Sequence, residues 1–203
     1  MKGIIFIRSL LFLTCISLIL ALCACQTSDA GHTHSYITIE AVNPTCLSSG
    51  RRTYQCADCE YFFKETIPAR GHNPDSTGKC TECGHQLVKL SDKLPITISY
   101  TWGTNPDNIY TRVNITAVSF SSKPYGSTLI VTLNGKKTYD YKGDVGTTAA
   151  RVLVVIKDSK GSVVGSKELY DMHLVVGQAF QKSAEFNVSP DETYTIELRD
   201  HSV

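Results

Sequence analysis

Cysteine and histidine residues concentrate between positions 32 and 85 with a spacing that suits metal binding. Two cysteine pairs, Cys56 with Cys59 and Cys80 with Cys83, each enclose two residues and are separated by twenty. A pair on a tight turn directs two thiolates at one point, and a tetrahedral zinc ion accepts two such pairs. The spacing therefore predicts a structural zinc module of the zinc-ribbon kind.

The segment 32–85 contains one and a half copies of a repeat. The full copy has a histidine, a Thr-Cys step, a cysteine pair and an Ile-Pro-x-x-Gly-His ending from Ile67 to His72, and the short copy starts at that same His72. This pattern resembles the cysteine-and-histidine repeats of surface proteins from anaerobic Gram-positive bacteria. Glu60 departs from it, because glycine usually follows the pair. The resemblance implies a bacterial surface protein.

Two sets of metal ligands are compatible with this spacing. In the first, the two cysteine pairs form a single four-cysteine site and Cys46 takes no part. In the second, which we favour, each copy of the repeat binds its own metal, every cysteine is used, and His32 is a substitute for His34. The second scheme assigns His34, Cys46, Cys56 and Cys59 to one metal, and His72, Cys80, Cys83 and, as a further candidate, His85 to the other.

The scarcity of large apolar side chains in this segment favours a metal. About 50 residues of this composition cannot build an adequate core, whereas a structural zinc contributes about 10 kcal/mol or more to the folding of finger peptides. Disulfides are the alternative, since exported chains meet oxidising conditions. The five cysteines that follow Cys25 cannot all pair within one chain, however, and a bridge across two residues closes a strained loop.

The amino-terminus has the composition of an export signal. Lys2 and Arg8 accompany an apolar run that ends in Leu-Cys-Ala-Cys, with Cys23 and Cys25 as its cysteines. This resembles a bacterial lipoprotein signal, which implies lipidation of Cys25; Cys23 fits less well because a bulky leucine precedes it. An ordinary cleaved signal or a retained helix is the alternative, and each places the remainder outside the cytoplasm. Two acyl chains on one cysteine anchor a protein firmly.

The charge balance of the exported part gives no reason to expect nucleic-acid binding. Without Lys2 and Arg8, the 20 basic residues become 18, against 19 acidic ones, so the formal net charge is −1. The pairs at 51–52 and 136–137 are isolated, and we expect them to be solvated. A nucleic-acid site would need clustered Lys and Arg. We therefore expect no nucleic-acid partner. The lipid anchor predicts attachment to the outer face of the cytoplasmic membrane, and the further predicted partner is a surface protein or a glycan.

The carboxy-terminal half has the two-residue period of half-buried antiparallel strands. It contains no cysteine, and residues 152–156 are continuously apolar, as expected of a central strand. Asn134-Gly135 predicts a two-residue hairpin. The predicted strands cover 95–101, 109–120, 127–133, 136–142, 150–157, 162–170 and 179–188, with 193–200 as a further candidate.

Short strands at this spacing indicate a β-sandwich. The segment 152–198 also resembles bacterial immunoglobulin-like domains, including the FxLYD type, through Asp158, Gly161 and Val164, the Leu174 to Gln178 turn, and Phe186. The expected class is mostly β: a zinc-ribbon-like module followed by an antiparallel immunoglobulin-like β-sandwich. The expected organisation is a signal at 1–24, a linker at 25–33, the module at 34–86 and the sandwich at 94–203, with the boundary at 86–94.

No catalytic motif stands out, so we expect a non-enzymatic protein. The candidate binding surface is the polar loop after residue 102, with Tyr100, Trp102 and Tyr110 at its edges, an aromatic composition typical of carbohydrate or peptide contacts. We predict a lipid-anchored bacterial cell-surface protein with a structural zinc module and a β-sandwich for binding, adhesion or structural contact. The alternative is a zinc-handling lipoprotein that captures metal for a transporter.

Overall fold

The protein is mostly β, as predicted. The computed structural model describes residues 33–101, 107–141, 149–171 and 174–200. These contain no helix, and therefore none long and apolar enough to cross a bilayer. The strands are β1 (Tyr36–Val42), β2 (Gly50–Cys56), β3 (Phe62–Ile67), β4 (Val88–Leu90), β5 (Ile96–Thr101), β6 (Ile109–Ser122), β7 (Thr128–Asp140), β8 (Ala150–Lys157), β9 (Val163–Asp171), β10 (Ala179–Asn187) and β11 (Tyr194–Arg199).

The first three strands form a small sheet in the order β1-β2-β3. Strands β2 and β3 flank the first cysteine pair. All seven side chains of β1 are exposed, and so are five of the six in β3. The small sheet therefore has little apolar core of its own. By contact density the chain divides into two compact units, Met1–Ile37 with Tyr54–Phe62 and Thr38–Thr53 with Phe63–Val203, and the division runs through these strands.

The remaining eight strands form two four-stranded sheets, ordered β10-β7-β6-β5 and β4-β11-β8-β9. Buried and partly exposed side chains alternate along most of β7 and along β11. One buried apolar cluster receives side chains from both sheets, including Val131 and Leu133 from β7, Val154 from β8 and Ile196 from β11. Strand β8 lies between β11 and β9, as its continuously apolar sequence predicts.

The segment assigned to the domain boundary, residues 86–94, supplies strand β4. Leu87 and Val88 are fully buried in the shared core. Tyr194 donates its backbone N–H to the Leu87 carbonyl at 2.8 Å, and the Thr193 hydroxyl donates to the Gln86 carbonyl at 2.6 Å. Strand β4 pairs with β11 in parallel, so this sheet is mixed and not wholly antiparallel. The end of the cysteine-rich segment is thus hydrogen-bonded directly to the two four-stranded sheets, which we call the larger body.

The prediction that Lys137 is solvated was wrong. Its side chain is fully buried, and its Nζ lies 2.9 Å from Oδ2 of Asp140. The same Nζ donates a hydrogen bond of 2.9 Å to the Leu174 carbonyl. A buried ammonium persists only where such partners replace water. Lys137 therefore ties the segment that begins at residue 174 to strand β7.

The predicted hairpin at Asn134-Gly135 was also wrong, because β7 runs through both residues. Gly135 pairs with Ile115 on one side and with Phe180 on the other. Strand β6 changes register beside it, between Ile115 and Ala117. A Cβ at Gly135 would lie 2.8 Å from both the Asn114 carbonyl oxygen and Cζ of Phe180. The glycine is needed here for close approach at a β-bulge and not for a positive φ.

Gly135→Ala is expected to destabilise the protein by about 2 kcal/mol, because the added methyl group overpacks a paired strand. Gly161→Ala is the control: nothing lies within 4 Å of its added Cβ, so only its positive φ matters, at about 1 kcal/mol. Urea unfolding of both variants measures the difference. Equal losses in the two variants would contradict the packing explanation.

Candidate metal centres

Four of the predicted ligand residues converge in what we call the four-ligand group: Cys46, His72, Cys80 and Cys83. One ligand atom from each lies within 4.8 Å of the others. The Sγ atoms of Cys46 and Cys80 are 3.8 Å apart, and Nδ1 of His72 is 3.3 Å from Sγ of Cys83. Two sulfurs bound at about 2.3 Å to a tetrahedral zinc lie about 3.8 Å apart, whereas a disulfide needs about 2.05 Å. This group could hold a metal ion.

Backbone hydrogen bonds bring Cys46 into this group. The Arg70 N–H donates to the Thr45 carbonyl at 2.9 Å, and the Gly71 N–H donates to the Cys46 carbonyl at 3.0 Å. His72 follows Gly71 directly in the chain. These two bonds therefore place the Cys46 and His72 side chains next to each other, although 26 sequence positions separate them.

Tight packing around Gly71 fixes the position of His72. Gly71 has a φ of 72°, and a Cβ on it would lie 2.3 Å from the backbone nitrogen of Gly126. The Ser122 hydroxyl donates to the His72 carbonyl at 2.6 Å. His72 is 2% exposed, and the Nε2 atom of its ring is buried without a hydrogen-bond partner. The glycine of the repeat's Gly-His step is thus required for close contact between backbones.

The second cysteine pair lies on a tight turn. The Cys80 N–H donates to the His85 carbonyl at 2.8 Å, and the Gly84 N–H donates to the Cys80 carbonyl at 3.0 Å. Burial by itself would raise the pKa of the Cys80 thiol. Backbone N–H groups of Cys83 and Glu82 that point at its sulfur outweigh burial and lower that pKa to about 6. The turn thus favours a thiolate, the form that binds metal.

Cys46 has the opposite tendency in the absence of a metal. Burial, with the thiols of Cys83 and Cys80 nearby, raises the pKa of Cys46 to about 12. Several thiolates without a cation would repel one another in a site with little water. A bound divalent cation reverses this by stabilising each thiolate. A cation at the centre of the group would therefore favour the thiolate form of all three cysteines.

The other converging set, which we call the three-ligand group, consists of His34, Cys56 and Cys59. One ligand atom from each again lies within 4.8 Å of the others, and Sγ of Cys59 is 3.6 Å from Nδ1 of His34. The Ala57 N–H donates to the Ser35 carbonyl at 2.8 Å. This hydrogen bond holds His34, which precedes Ser35, beside the turn that carries the first cysteine pair. This group too could hold a metal ion.

The two cysteine turns share a backbone pattern. In each, the first cysteine donates its N–H to the carbonyl five residues later, Cys56 to Tyr61 at 2.9 Å and Cys80 to His85 at 2.8 Å. The glycine after the second pair has a φ of 75°. Glu60, at the matching position, does not have a positive φ. The repeat is therefore visible in the backbone, and its departure at Glu60 changes the turn after the pair.

The structure groups the ligands differently from both sequence schemes. Cys46 lies with the second pair and not with the first, and the two cysteine pairs belong to separate groups. His85 is outside both; its ring stacks on that of His72 at 4.7 Å, and its Nε2 lies 3.2 Å from the Glu192 carbonyl oxygen. None of the five described cysteines is in a disulfide. His32 and Cys25 lie outside the described residues.

Tyrosines gather where the sequence predicts a binding surface. The Tyr100 and Tyr110 rings stack at 5.7 Å, and Tyr141 meets Tyr110 edge-on at 5.9 Å. Trp102 lies outside the described residues. The sequence offered no reason to join Tyr141 to Tyr110, which follows from β6–β7 pairing and a 2.8 Å backbone hydrogen bond. A pocket of about 190 Å³ is lined by Asp107, Asn108, Ile109, Tyr110, Tyr139 and Tyr141.

Comparison with known proteins identifies no relative. No family model matches the chain, and neither a curated protein nor a solved structure matches it. The assignment of a function therefore rests on the two ligand groups, the tyrosine pocket and the sequence of the amino-terminus.

Serine substitutions in the full chain test the grouping of Cys46. Cys46→Ser is expected to remove one of two bound zinc ions, because it breaks the four-ligand group alone. The double variant of Cys46→Ser with Cys83→Ser should lose no more zinc than Cys46→Ser alone, because the effects of substitutions in one site do not add. The double variant of Cys46→Ser with Cys56→Ser should lose both ions. Elemental analysis of the purified variants measures the stoichiometry, and the reverse pattern would place Cys46 in the other site.

Proposed function

We propose that this chain is a lipid-anchored bacterial cell-surface protein without enzymatic activity. Its cysteine-rich segment is a zinc-stabilised, ribbon-like module. Its two larger sheets form an immunoglobulin-like β-sandwich that binds a surface protein or a glycan, or makes a structural contact at the cell surface. The anchor is a diacylated Cys25 at the outer face of the cytoplasmic membrane.

The burial pattern of the cysteine-rich segment is the single observation that supports this proposal most. Between residues 33 and 86 no Ala, Val, Leu, Ile, Phe, Tyr or Trp side chain is buried, and Pro74 is the one buried hydrocarbon side chain. Cys46, Cys56 and Cys80 are buried there, and so is His72. A segment without an apolar core needs another source of folding free energy. Metal coordination by these same residues supplies it.

Zinc is the metal that suits these donors best. Thiolates with one imidazole are soft ligands, and tetrahedral sites of this composition favour zinc over the hard cations magnesium and calcium. In the four-ligand group three of the four residues are buried, and three cysteines and one histidine complete a tetrahedron. Such closed sites are structural. This supports a role in folding for that zinc and not in catalysis.

The lipid anchor and the surface location are supported by the sequence of the amino-terminus. The charged start, the apolar run and the Ala-Cys ending at Cys25 are the features on which that proposal rests. The tyrosine pocket supports a binding role for the larger body. Tyr139 and Tyr141 are 41% and 48% exposed, which leaves aromatic area for a partner, and aromatic residues dominate many binding surfaces.

A second candidate function is zinc handling for a transporter. It is favoured by the three-ligand group, where His34 and Cys59 are partly exposed. A metal held by partly exposed ligands exchanges more readily than one enclosed by buried ligands. A zinc held for a transporter should exchange rapidly at this group, whereas a structural zinc should exchange slowly. The rate of zinc exchange therefore distinguishes the two functions.

Zinc removal tests the structural role. Stripping the full chain in detergent with a strong chelator should abolish hydrogen-exchange protection at 70–86 while strands β7 and β8 stay protected, because the core of the larger body is apolar. Cys80→Ser is expected to reproduce this loss without chelator. Hydrogen-exchange mass spectrometry measures both. Full protection of 70–86 in a metal-free, reduced protein would refute the zinc-stabilised module.

Tyrosine substitutions test the binding surface. In a screen of glycans and surface proteins, Tyr141→Ala should weaken binding to any hit at least about tenfold, because truncating a central aromatic contact removes a hot spot. Tyr125→Ala is the control, since this exposed tyrosine lies at the β6–β7 turn, the opposite end of those strands. Thermal melting verifies that both variants fold. A hit bound equally by the two variants would place the binding surface elsewhere.

A further inference from the structure

We propose that Cys83 is a site of oxidative modification by hydroperoxides such as hydrogen peroxide, and that Cys46 supplies the second thiol, which converts the oxidised sulfur into a disulfide. This inference rests on the zinc binding proposed above, because it concerns the same four-ligand group. It goes beyond a structural role, since it makes the zinc-bound state of this group depend on the oxidants that the protein meets.

The first argument is the uneven exposure of the four ligands. Cys46, His72 and Cys80 are each at most 6% exposed, whereas Cys83 is exposed. A hydroperoxide from solvent therefore reaches the Cys83 sulfur more easily than the other two. A cysteine that binds zinc is held as the thiolate, which is the nucleophilic form. Accessible thiolates with a second cysteine close by are typical of redox-sensitive sites.

The second argument is the presence of a second thiol within reach. The ligand atoms of the group lie within 4.8 Å of one another, so the sulfurs of Cys46 and Cys80 are both near that of Cys83. A disulfide needs sulfurs about 2.05 Å apart, and they can approach one another once the zinc between them has left. The group thus supplies both sulfurs of a disulfide, and only the oxidant must come from outside.

The third argument selects Cys46 as the partner. Its Sγ lies 3.9 Å from Oε2 of Glu82, the residue before Cys83. The Arg70 guanidinium pairs with that same carboxylate at 3.0 Å, and the Arg70 N–H donates to the carbonyl of the residue before Cys46 at 2.9 Å. Arg70 therefore holds the Cys46 segment against the turn of Cys83. Cys80 is less suitable, because a bridge across two residues of one turn closes a strained loop.

The reaction balances with one hydrogen peroxide. The Cys83 thiolate attacks a peroxide oxygen, so that an S–O bond forms, the O–O bond breaks and hydroxide leaves. The Cys46 thiolate then attacks the Cys83 sulfur, so that the S–S bond forms, the S–O bond breaks and a second hydroxide leaves. The two sulfurs together lose two electrons, which the peroxide gains. Of the four donors two remain, too few for a closed tetrahedral site, and the zinc is released.

Zinc release and disulfide mapping in the full chain, in detergent, test the proposal. The double variant of Cys56→Ser with Cys59→Ser removes the three-ligand group, so that one zinc remains bound. Hydrogen peroxide should release this zinc and consume two thiols. Mass spectrometry of proteolytic peptides should find Cys46 joined to Cys83. A thiol reductant with added zinc should restore the bound ion.

Cys83→His in the same double variant is the matched control. Histidine at this exposed position still binds zinc but forms no sulfenic acid, so hydrogen peroxide should release the zinc at least about tenfold more slowly. The disulfide map of the parent variant decides independently of whether the histidine variant binds zinc.

Three results would overturn this inference alone: zinc that stays bound with its thiols intact, equal release rates in the two variants, or a disulfide between Cys80 and Cys83. A chain that binds no zinc before the oxidant is added would instead overturn the metal binding on which the inference rests.

Discussion

The convergence of sulfur and imidazole donors on one point is the constraint on which the cysteine-rich segment depends. Elsewhere in the protein, aliphatic side chains from two sheets exclude water and hold the strands together. Between residues 33 and 86 this role falls to three buried cysteines and one buried histidine. Without a cation these donors differ in charge, because burial raises the pKa of Cys46 to about 12 while backbone hydrogen bonds in the turn lower that of Cys80 to about 6. A divalent ion would favour the thiolate form of both.

The four-ligand group is also where the cysteine-rich segment meets the larger body. Gly71 and Gly126 approach so closely that neither accommodates a side chain, and Ser122 at the end of β6 holds the His72 carbonyl. On the other side of the second cysteine pair, Leu87 and Val88 enter the apolar core, and strand β4 begins at Val88. A metal bound here would stabilise the contacts that these residues make with β6 and with the apolar core. The three-ligand group lies in the other compact unit, and three donors from the described part of the chain converge there.

Much of this architecture could be predicted from periodicity and composition. Alternating apolar residues in β7, β10 and β11 identify half-buried strands, because a strand with one face in a core must alternate. Asn134-Gly135 misled the prediction because the same dipeptide that favours a turn also suits a bulge under an aromatic ring. The turn propensity of Asn-Gly describes only which backbone conformations these residues can adopt. Tertiary contacts decided that Gly135 pairs with Ile115 and Phe180. Lys137 was misjudged for the same reason, since the Leu174 carbonyl that its Nζ binds is distant in the sequence and only tertiary contacts bring it close.

The ligand residues were recognisable from spacing, but their grouping was not. Spacing determines which cysteines share a turn, so the pairs Cys56 with Cys59 and Cys80 with Cys83 were evident. The group that Cys46 joins depends on two backbone hydrogen bonds from residues 70 and 71. Backbone hydrogen bonds between segments this far apart leave no pattern in the sequence. The same limit applies to Tyr141 and Tyr110, whose contact requires the register of β6 and β7.

The most direct measurement is an anomalous-scattering map of crystals of the protein, collected on both sides of the zinc absorption edge. The account predicts one peak about 2.3 Å from the sulfurs of Cys46, Cys80 and Cys83 and about 2.0 Å from a His72 nitrogen, and a second peak bound by His34, Cys56 and Cys59. Density with no zinc peak at the first position, or with these sulfurs joined in disulfides, would contradict it.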